Sequence, residues 1–301
     1  MSGIMRLGFV EVLVNNLSQA RNFYSQILGL QETRNGDGTL FFKCWDEYDH
    51  HSVVLKEGKG PGLVRVGWKV ESERDLDELE KKIEEFGIKV NRISKKEVTA
   101  VGEGLSFTAP SGQPMILYHE IEQVGRAVVP PEIIPKGLVG ISPPHLDHVV
   151  ISAEDADEAV KFMTSVLGFR VGEQILDPAG HSVASFLFRS NKPHDLAIMR
   201  GPHGRYHHFA FYLDDWNEVL RASQLLAQSH QDVEVPPSQH GITRGCTTYF
   251  RDLSGNRIET FAGGYVTYPD FPTITWSIED MKRAVFNFGG PGNLEKFMQW
   301  V

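Results

Sequence analysis

The hydrophobic and polar positions of this chain follow one pattern twice. Residues 8–30 read GFVEVLVNNLSQARNFYSQILGL, and residues 147–169 read DHVVISAEDADEAVKFMTSVLGF. In each segment an apolar run typical of a buried β-strand leads through a polar turn into residues spaced as on an amphipathic helix. Each segment ends in Leu-Gly and a bulky apolar residue, and the two align without a gap when Gly29 is matched with Gly168. The pattern therefore predicts a strand and a helix that are repeated in two halves of the chain.

A second match, near the end of each half, supports this division. The sequence FTAPSGQPMILY aligns with YFRDLSGNRIETF through a shared Ser-Gly, which begins at Ser111 in the first half and at Ser254 in the second. The segment between the halves contains Pro130, Pro131 and Pro135, which is typical of a connector. We predict a first domain over residues 1–122, a linker over residues 123–144 and a second domain over residues 145–301.

Each half divides once more. Residues 145–161, HLDHVVISAEDADEAVK, align with residues 206–221, YHHFAFYLDDWNEVLR. This register matches Asp155 with Asp215, where an acidic side chain can cap the N-terminus of a helix. Further strands follow each helix, for example HSVASFLFRS and HDLAIM. The predicted building block is βαβββ in four copies, which is an α+β fold.

Two adjacent histidines open the strand RYHHFAFYL. Neighbouring side chains of a strand point to opposite faces, so a regular strand turns only one of them inward. The register that matches Asp155 with Asp215 also aligns His208 with His148 and His207 with Asp147. Because histidine recurs at the same strand position, we predict that His208 faces inward. We expect His207 to face the other side, hydrogen-bonded and without a ligand role.

A carboxylate on a nearby strand completes a candidate metal site. Glu259 lies between Ile258 and Thr260 in an otherwise apolar strand, where an unpaired carboxylate would be costly to bury. Two imidazoles, from His148 and His208, and one carboxylate form the arrangement that suits non-haem Fe(II) with open coordination positions. The alternative is that both histidines are satisfied core residues. Their matched positions in the repeats favour the metal site.

Three further residues of the second half carry groups that can exchange protons. His194 begins the strand in NKPHDLAIM, His240 lies in the loop SQHGITRG, and Tyr249 follows in CTTYFRD. Histidine and tyrosine can donate and accept protons during the chemistry of an acidic phenol. Taken alone, His240 is best interpreted as an ordinary loop histidine. We predict that all three act at the metal site.

With these residues in place, the chain resembles the type I extradiol ring-cleavage dioxygenases of the vicinal oxygen chelate superfamily, and most of all the catechol 2,3-dioxygenases. The resemblance runs from MRLGFVEVLV near the N-terminus, through FTAPSG, HDLAIM, HHFAF and QHGITRG, to YPDFPTITW near the C-terminus. It implies that each half forms a partly open mixed β-barrel with the glyoxalase-like fold of the superfamily. The spacing of His240, Tyr249 and Glu259 is the most specific part of the resemblance.

The resemblance also implies an activity and a role for each residue. The activity is extradiol cleavage of catechol or an alkylcatechol with dioxygen to a 2-hydroxymuconic semialdehyde, as in aerobic aromatic catabolism. His148, His208 and Glu259 would bind Fe(II), and His194 would act as an acid and base beside the metal. His240 and Tyr249 would contact the substrate hydroxyl groups. The sequence departs from the family pattern at Thr248, before the tyrosine, and at Leu253, where the family has proline.

The first half has lost the residues of the predicted metal site. Phe9 stands where the second half has its first ligand histidine, and Ile116 stands where it has the carboxylate. The strand LVRVGWKV contains no histidine. Only His51 survives, aligned with His194, and we interpret it as a surface or structural histidine. We therefore expect the metal in the second half only.

The substrate is less well defined by the sequence than the metal site. Phe186, Ile198 and Ile242, together with the aromatic tail around Trp276 and Phe286, predict a pocket for an apolar single-ring diol. A biphenyl-type diol remains an alternative substrate. A metal-dependent relative such as a glyoxalase or epimerase, and a binding module without catalysis, remain alternative functions.

Composition and charge narrow the class of protein. Hydrophobic residues make up 41% and charged residues 23% of the 301 residues, which is typical of a globular domain. The formal net charge of -9 disfavours nucleic acid as a partner. The sequence contains no apolar run that could span a membrane and no evident signal peptide, and it has only two cysteines, Cys44 and Cys246. We therefore expect a cytoplasmic protein, and the resemblance implies a homo-oligomer, commonly a tetramer.

Overall fold

A computed structural model describes residues 3–36, 38–124 and 137–301 and contains two mixed β-sheets with helices packed on them. The order of elements in each half is two successive βαβββ units. The predicted α+β fold of four modules is therefore confirmed. Most of the proline-rich part of the predicted linker, including Pro130, Pro131 and Pro135, lies outside the described residues.

In the described part of the first half, eight strands form one sheet. They are β1 (Ile4–Val14), β2 (Gln31–Gly36), β3 (Thr39–Lys43), β4 (Val53–Glu57), β5 (Gly62–Val70), β6 (Asn91–Ile93), β7 (Gly104–Thr108) and β8 (Pro114–Tyr118). Their order in the sheet is β2-β3-β4-β1-β5-β8-β7-β6. The first strands of the two modules, β1 and β5, are therefore antiparallel neighbours at the centre of the sheet.

The second half repeats this plan with one more strand. Its strands are β9 (His145–Ala153), β10 (Arg170–Leu176), β11 (Ser182–Phe188), β12 (Leu196–Arg200), β13 (Tyr206–Tyr212), β14 (Val233–Gln239), β15 (Gly245–Arg251), β16 (Arg257–Gly263) and β17 (Ile274–Ser277). Their order is β14-β15-β16-β13-β9-β12-β11-β10-β17. The edge strand β17, in the C-terminal tail, pairs in parallel with β10 and was not expected from the sequence.

Polar side chains begin the four main helices, and two of them, Asp155 and Asp215, are the caps that the sequence predicts. The helices are α1 (Leu17–Asn22), which continues as a π-helical turn (Phe23–Ile27), α2 (Glu73–Glu85), α3 (Ala156–Ser165) and α4 (Trp216–Gln228). Asp155 accepts a hydrogen bond from the Glu158 amide, and Asp215 accepts from the amides of Asn217 and Glu218. These carboxylates satisfy amides that the helix leaves free at its N-terminus. The tail adds a 3-10 turn (Ile278–Asp280) and the short helices α5 (Met281–Val285) and α6 (Leu294–Phe297).

One hydrophobic core connects the two halves. The rings of Trp68, from β5, and Phe169, before β10, meet edge to face with centroids 5.1 Å apart. The Tyr24 hydroxyl donates to the Asp252 carboxylate across 2.9 Å, and both groups are buried. Burial of the aromatic surface contributes most of the stabilising energy at such a contact. In the described residues no helix is long and apolar enough to cross a membrane.

Candidate active site

The three predicted metal ligands lie on three neighbouring strands at the centre of the second sheet. His148 is on β9, His208 is on β13 and Glu259 is on β16, and β13 lies between the other two strands. Ala210 of β13 pairs with His148 on one side and with Glu259 on the other. Because alanine carries only a methyl group, the imidazole and the carboxylate can approach each other above it.

The donor atoms of these side chains converge. Nε2 of His148 and Nε2 of His208 each lie 2.9 Å from Oε2 of Glu259, and the two nitrogens are 3.4 Å apart. One donor atom from each residue lies within 4.8 Å of the others, and all three side chains are buried. Within residues 3–36, 38–124 and 137–301 no second group of histidine, cysteine and carboxylate side chains has this geometry. The fold therefore brings the predicted ligands together.

Two of the three equivalent positions in the first half are filled with apolar side chains. Phe9 of β1 pairs with Gly67 of β5, and Gly67 pairs with Ile116 of β8. A Cβ atom on Gly67 would lie 2.2 Å from Cε1 of Phe9, so the Phe9 ring packs directly against the Gly67 backbone. Phe9 and Ile116 thus stand in place of His148 and Glu259, and Gly67 stands in place of Ala210. Arg65 of β5 stands in place of His208, and its guanidinium is ion-paired with Glu11 of β1 at 2.7 Å.

The prediction that His207 faces away from the metal site is wrong, because a β-bulge adds one residue to β13. The pairing with β9 shifts between Tyr206 and His208. As a result, Tyr206 and Phe209 both pack in the hydrophobic core, while His207 and His208 both line the central cavity. His207 is hydrogen-bonded, as expected, at 2.7 Å from Nδ1 of His208 and at 2.7 Å from the carbonyl oxygen of Phe297.

His194, His240 and Tyr249 line the same cavity as the ligand residues. The ring of His194 lies 3.9 Å from that of His148, centroid to centroid, and its buried Nδ1 has no hydrogen-bond partner among the described residues. Nδ1 of His240 contacts the carbonyl oxygen of Val285, which can only accept a hydrogen bond. Nε2 of His240 is therefore free to accept the Tyr249 hydroxyl, 3.0 Å away.

The cavity has a volume of about 630 Å³, and apolar side chains form most of its wall. Phe186 and Ile242 line it, as predicted, and so does Phe286 of the tail. Apart from the histidines and the ligand carboxylate, the charged lining residues are Glu279 and Lys282, which belong to the C-terminal tail. The other apolar lining residues include Val150, Ile175, Val183, Met199, Phe261, Met281, Phe297 and Met298.

Ile198 does not line this cavity, and the prediction that it does is wrong. Ile198 belongs to the buried core that is shared with the helices, whereas its neighbour Met199 lines the cavity. Both faces of β12 are apolar, so the residue types could not indicate which face meets the cavity. Trp276 is also absent from the lining; its indole nitrogen donates to Glu173 across 2.7 Å. Glu173 also accepts from the Thr243 amide, which ties β17 to the loop that carries His240.

The two departures from the family pattern lie away from the metal ligands. The Thr248 hydroxyl donates to the carbonyl oxygen of Val235 across 2.6 Å, on the face of β15 opposite Tyr249. Leu253 is 52% exposed in the turn before β16. His51 in the first half is 1% exposed and packs against the rings of Phe9 and Phe41. It is therefore a structural histidine and not a surface one.

Comparisons with known proteins agree with this arrangement. Residues 145–260 match the Glyoxalase/Bleomycin resistance protein/Dioxygenase superfamily, and residues 65–122 match the Catechol 2,3-dioxygenase-like N-terminal domain. The chain is 37% identical to the metapyrocatechase of Pseudomonas sp. (strain CF600) over 289 residues, which cover 94% of each protein. The chain belongs to the extradiol dioxygenases of the vicinal oxygen chelate superfamily.

Two further relatives bear on the structure and on the metal. The crystal structure of the 2,3-dioxygenase LapB from Pseudomonas sp. KL28 superimposes with a TM-score of 0.89 and 38% identity, covering 93% of this chain and 99% of that one. The manganese-dependent 2,3-dihydroxybiphenyl 1,2-dioxygenase of Geobacillus genomosp. 3 is 27% identical over 296 residues, which cover 95% of this chain and 94% of that protein. Membership of the extradiol family thus leaves the choice between iron and manganese open.

The electrostatics of this extradiol dioxygenase fit a divalent cation between the three ligands. Burial alone would raise the pKa of Glu259, but His208 and His148 together hold that pKa well below its usual range. Burial is also the main reason that the pKa of His208 is lowered to about 4 and that the pKa of His194 lies well below its usual value. Burial lowers the pKa of His148, but hydrogen bonds to Asp147 and Glu259 outweigh that effect and raise this pKa to about 9. A bound metal would replace the hydrogen on Nε2 of His148, which leaves an ionised carboxylate beside two imidazole nitrogens, the donor set that a transition metal requires.

Three side chains that the sequence did not single out as site residues contact the predicted ligands of this dioxygenase or their partners. Oδ2 of Asp147 lies 2.6 Å from Nδ1 of His148, and Oδ1 of Asp147 pairs with the Lys192 ammonium at 3.1 Å. The Thr247 hydroxyl donates to Oε1 of Glu259. Such partners fix the orientation of a ligand and tune its affinity for metal. Asp147 and Thr247 could have been found from their positions, one residue before a ligand histidine and two before Tyr249 on the same strand face.

Proposed function

We propose that this protein cleaves a catechol ring beside its two hydroxyl groups with dioxygen, using one Fe(II) bound by His148, His208 and Glu259. The observation that carries the proposal is the convergence of two buried imidazole nitrogens on a buried carboxylate, next to an open apolar cavity. When bound, Fe(II) supplies positions for both catechol oxygens and for dioxygen and allows electron density to pass from the diol to oxygen.

We propose that the other polar residues of the cavity handle protons. Tyr249 and His240 would contact a substrate hydroxyl, and their hydrogen bond gives a path along which a proton can leave the phenol. His194, with its unpartnered Nδ1, would exchange a proton with the reacting oxygen atoms on the other side of the site. The apolar wall would exclude water and hold the carbon face of the ring.

The identity of the metal is tested by reconstitution. We expect chelated protein to regain catechol cleavage with Fe(II), at about one metal ion per chain, and to regain less than a tenth of that activity with Mn(II). The reason for this expectation is the set of two histidines and one glutamate, which suits Fe(II). The control is reconstitution with Zn(II), which has no redox chemistry. Equal or greater activity with Mn(II) would reassign the metal, and two bound ions per chain would contradict the placement in the second half.

We propose that the preferred substrate is catechol or an alkylcatechol, with a biphenyl-type diol as the second candidate. The apolar wall supports a diol without a charged substituent, and the cavity volume of about 630 Å³ leaves room for a substituent on the ring. The manganese-dependent relative, whose name specifies dihydroxybiphenyl, keeps the second candidate open. The product of either substrate would be a ring-opened semialdehyde or ketone that absorbs visible light.

A pair of variants tests the substrate pocket. We expect Phe186→Leu to raise kcat/KM for biphenyl-2,3-diol relative to catechol by about tenfold, since methylene-sized changes in an apolar pocket alter specificity by about 1–3 kcal/mol. The matched control is Ile198→Val, because Ile198 packs in the core behind the same part of the sheet. It should lower the free energy of unfolding by about 0.5–1.5 kcal/mol and leave the ratio unchanged. If Ile198→Val changed the ratio of kcat/KM values and Phe186→Leu did not, the substrate would lie on the opposite face of the sheet.

We further propose a cytoplasmic location and a homo-oligomeric assembly, with a tetramer as the family resemblance implies. The two cysteines support a reducing compartment, since Cys44 is buried with a free thiol and Cys246 also carries a free thiol.

A further inference from the structure

Each ligand histidine of the central strands follows an extra residue in its own strand. The pairing between β9 and β13 shifts once between Leu146 and His148, which makes Asp147 the extra residue of β9. The pairing shifts again between Tyr206 and His208, which makes His207 the extra residue of β13. A β-bulge of this kind turns the additional side chain to a new direction. The two bulges therefore occupy the same place in two repeated modules.

The two extra residues make the same contact with the ligand that follows them. Oδ2 of Asp147 lies 2.6 Å from Nδ1 of His148, and Nδ1 of His207 lies 2.7 Å from Nδ1 of His208. A carboxylate can only accept, so Nδ1 of His148 carries a hydrogen. Nε2 of His148 lies 2.9 Å from the Glu259 carboxylate, and a bound metal would take the place of the hydrogen there and use the Nε2 lone pair. The repeated geometry suggests that His207 does for His208 what the carboxylate does for His148.

A neutral histidine can accept a hydrogen bond at Nδ1 only if its hydrogen is on Nε2. A carbonyl oxygen of the C-terminal tail favours that form of His207. Nε2 of His207 lies 2.7 Å from the carbonyl oxygen of Phe297, which cannot donate. His207 is 2% exposed and has no carboxylate beside it among its hydrogen-bond partners, so the charged form with both nitrogens protonated would be costly to bury. The neutral ring with hydrogen on Nε2 is the form that satisfies both contacts.

The Phe297 carbonyl is held firmly in place. The buried guanidinium of Arg257 donates to the carbonyl oxygen of Gln299 at 2.8 Å and to that of Lys296 at 3.3 Å, on either side of Phe297. The same guanidinium is ion-paired with Glu234 at 2.7 Å. The Phe297 ring packs edge to face on His207, with centroids 4.8 Å apart. These contacts fix helix α6 against β13 at the point where the carbonyl meets the imidazole.

We propose that His207 is a positioning residue. Its hydrogen bond to the Phe297 carbonyl keeps the hydrogen of His207 on Nε2, so its Nδ1 accepts a hydrogen bond from Nδ1 of His208. With its hydrogen held on Nδ1, His208 keeps the lone pair of Nε2 for the metal. This inference rests on the metal site proposed above. It makes the C-terminal tail part of the metal site, although no side chain of the tail would bind the metal. Partners of this kind typically change metal affinity about 10- to 100-fold.

The test compares two substitutions of His207 by titration of the chelated full-length protein with Co(II) against a chromophoric chelator. His207→Leu keeps the volume but removes both hydrogen bonds, and we expect its Kd for Co(II) to rise about 10- to 100-fold. His207→Gln can donate to Phe297 through its amide nitrogen and accept from His208 through its amide oxygen, so we expect its Kd to stay within about threefold of wild type. His51→Leu removes an equally buried histidine from the first sheet and should leave the Kd unchanged.

The outcomes separate this inference from the proposed function. The proposed role of His207 is contradicted if His207→Leu binds Co(II) with the wild-type Kd. It is also contradicted if His207→Gln binds as weakly as His207→Leu while both variants unfold at the wild-type temperature. Failure of the wild-type protein to bind Co(II) would instead contradict the proposed metal site itself. If His207→Leu does not fold, ¹⁵N-histidine NMR of the Zn(II)-loaded wild-type protein tests the inference. We expect the hydrogen of His207 on Nε2, and a hydrogen on Nδ1 instead would contradict the proposed role.

Discussion

Replacement of His194 by phenylalanine should lower kcat for catechol by about two decades or more while iron content and catechol affinity stay near the wild-type values. The imidazole lies against His148 with a buried, unpartnered Nδ1, so it can exchange a proton at the site without holding the metal. A positioned acid or base typically contributes 10²- to 10⁴-fold in rate, about 3–5 kcal/mol of the barrier. The measurement is steady-state kinetics, normalised to bound iron.

The repeat offers a matched control for this variant. His51 occupies the position of His194 in the first half and is equally buried, but no metal ligands surround it among the residues that the structure describes. His51→Phe should therefore leave kcat per bound iron unchanged. Loss of iron from His194→Phe would make His194 a metal ligand. An unchanged kcat would move the proton transfer to His240 or Tyr249.

Repetition in the sequence pointed to two of the three proposed metal ligands. The side chains of equivalent strand positions point the same way in each module, so one alignment located His148 and His208, and another located Phe9 and Ile116 as apolar counterparts of the ligands. In the structure Phe9, Gly67 and Ile116 form a row across the first sheet that matches the row of His148, Ala210 and Glu259 in the second. The alignment remains valid although β9 and β13 each contain a bulge, because the two bulges lie at equivalent positions of the repeats.

The predictions for His207 and Ile198 were wrong, and β17 was not predicted, because at these places neither strand alternation nor an amphipathic pattern indicates the structure. His207 faces the cavity because a bulge inserts one residue into β13, and nothing in the residue types of RYHHFAFYL marks that insertion. Ile198 faces the core because β12 is buried on both faces. The strand β17 is short, and it forms because β10 offers it an open edge. Contacts between distant segments decide each of these features.

Removal of the ligand carboxylate should have the largest effect of any single substitution. We expect Glu259→Ala to lose its bound metal on dialysis and to lower kcat/KM for catechol by at least about three decades, because metal catalysis contributes several kcal/mol to the transition state. The control is Ile116→Val, at the equivalent position of the first half. It should lower the free energy of unfolding by about 0.5–1.5 kcal/mol and retain metal and activity. Full metal content in Glu259→Ala would remove Glu259 from the ligand set.

The most direct measurement is the mass of the product that Fe(II)-loaded wild-type protein forms from catechol under ¹⁸O₂, with Glu259→Ala run in parallel. Extradiol cleavage inserts both atoms of dioxygen, so the account predicts a yellow 2-hydroxymuconic semialdehyde that carries ¹⁸O at the new carboxylate and, before exchange with water, at the aldehyde. The variant should give no product above background. Ring opening between the two hydroxyl groups, or intact catechol after the wild-type protein has taken up its iron, would contradict the central claim.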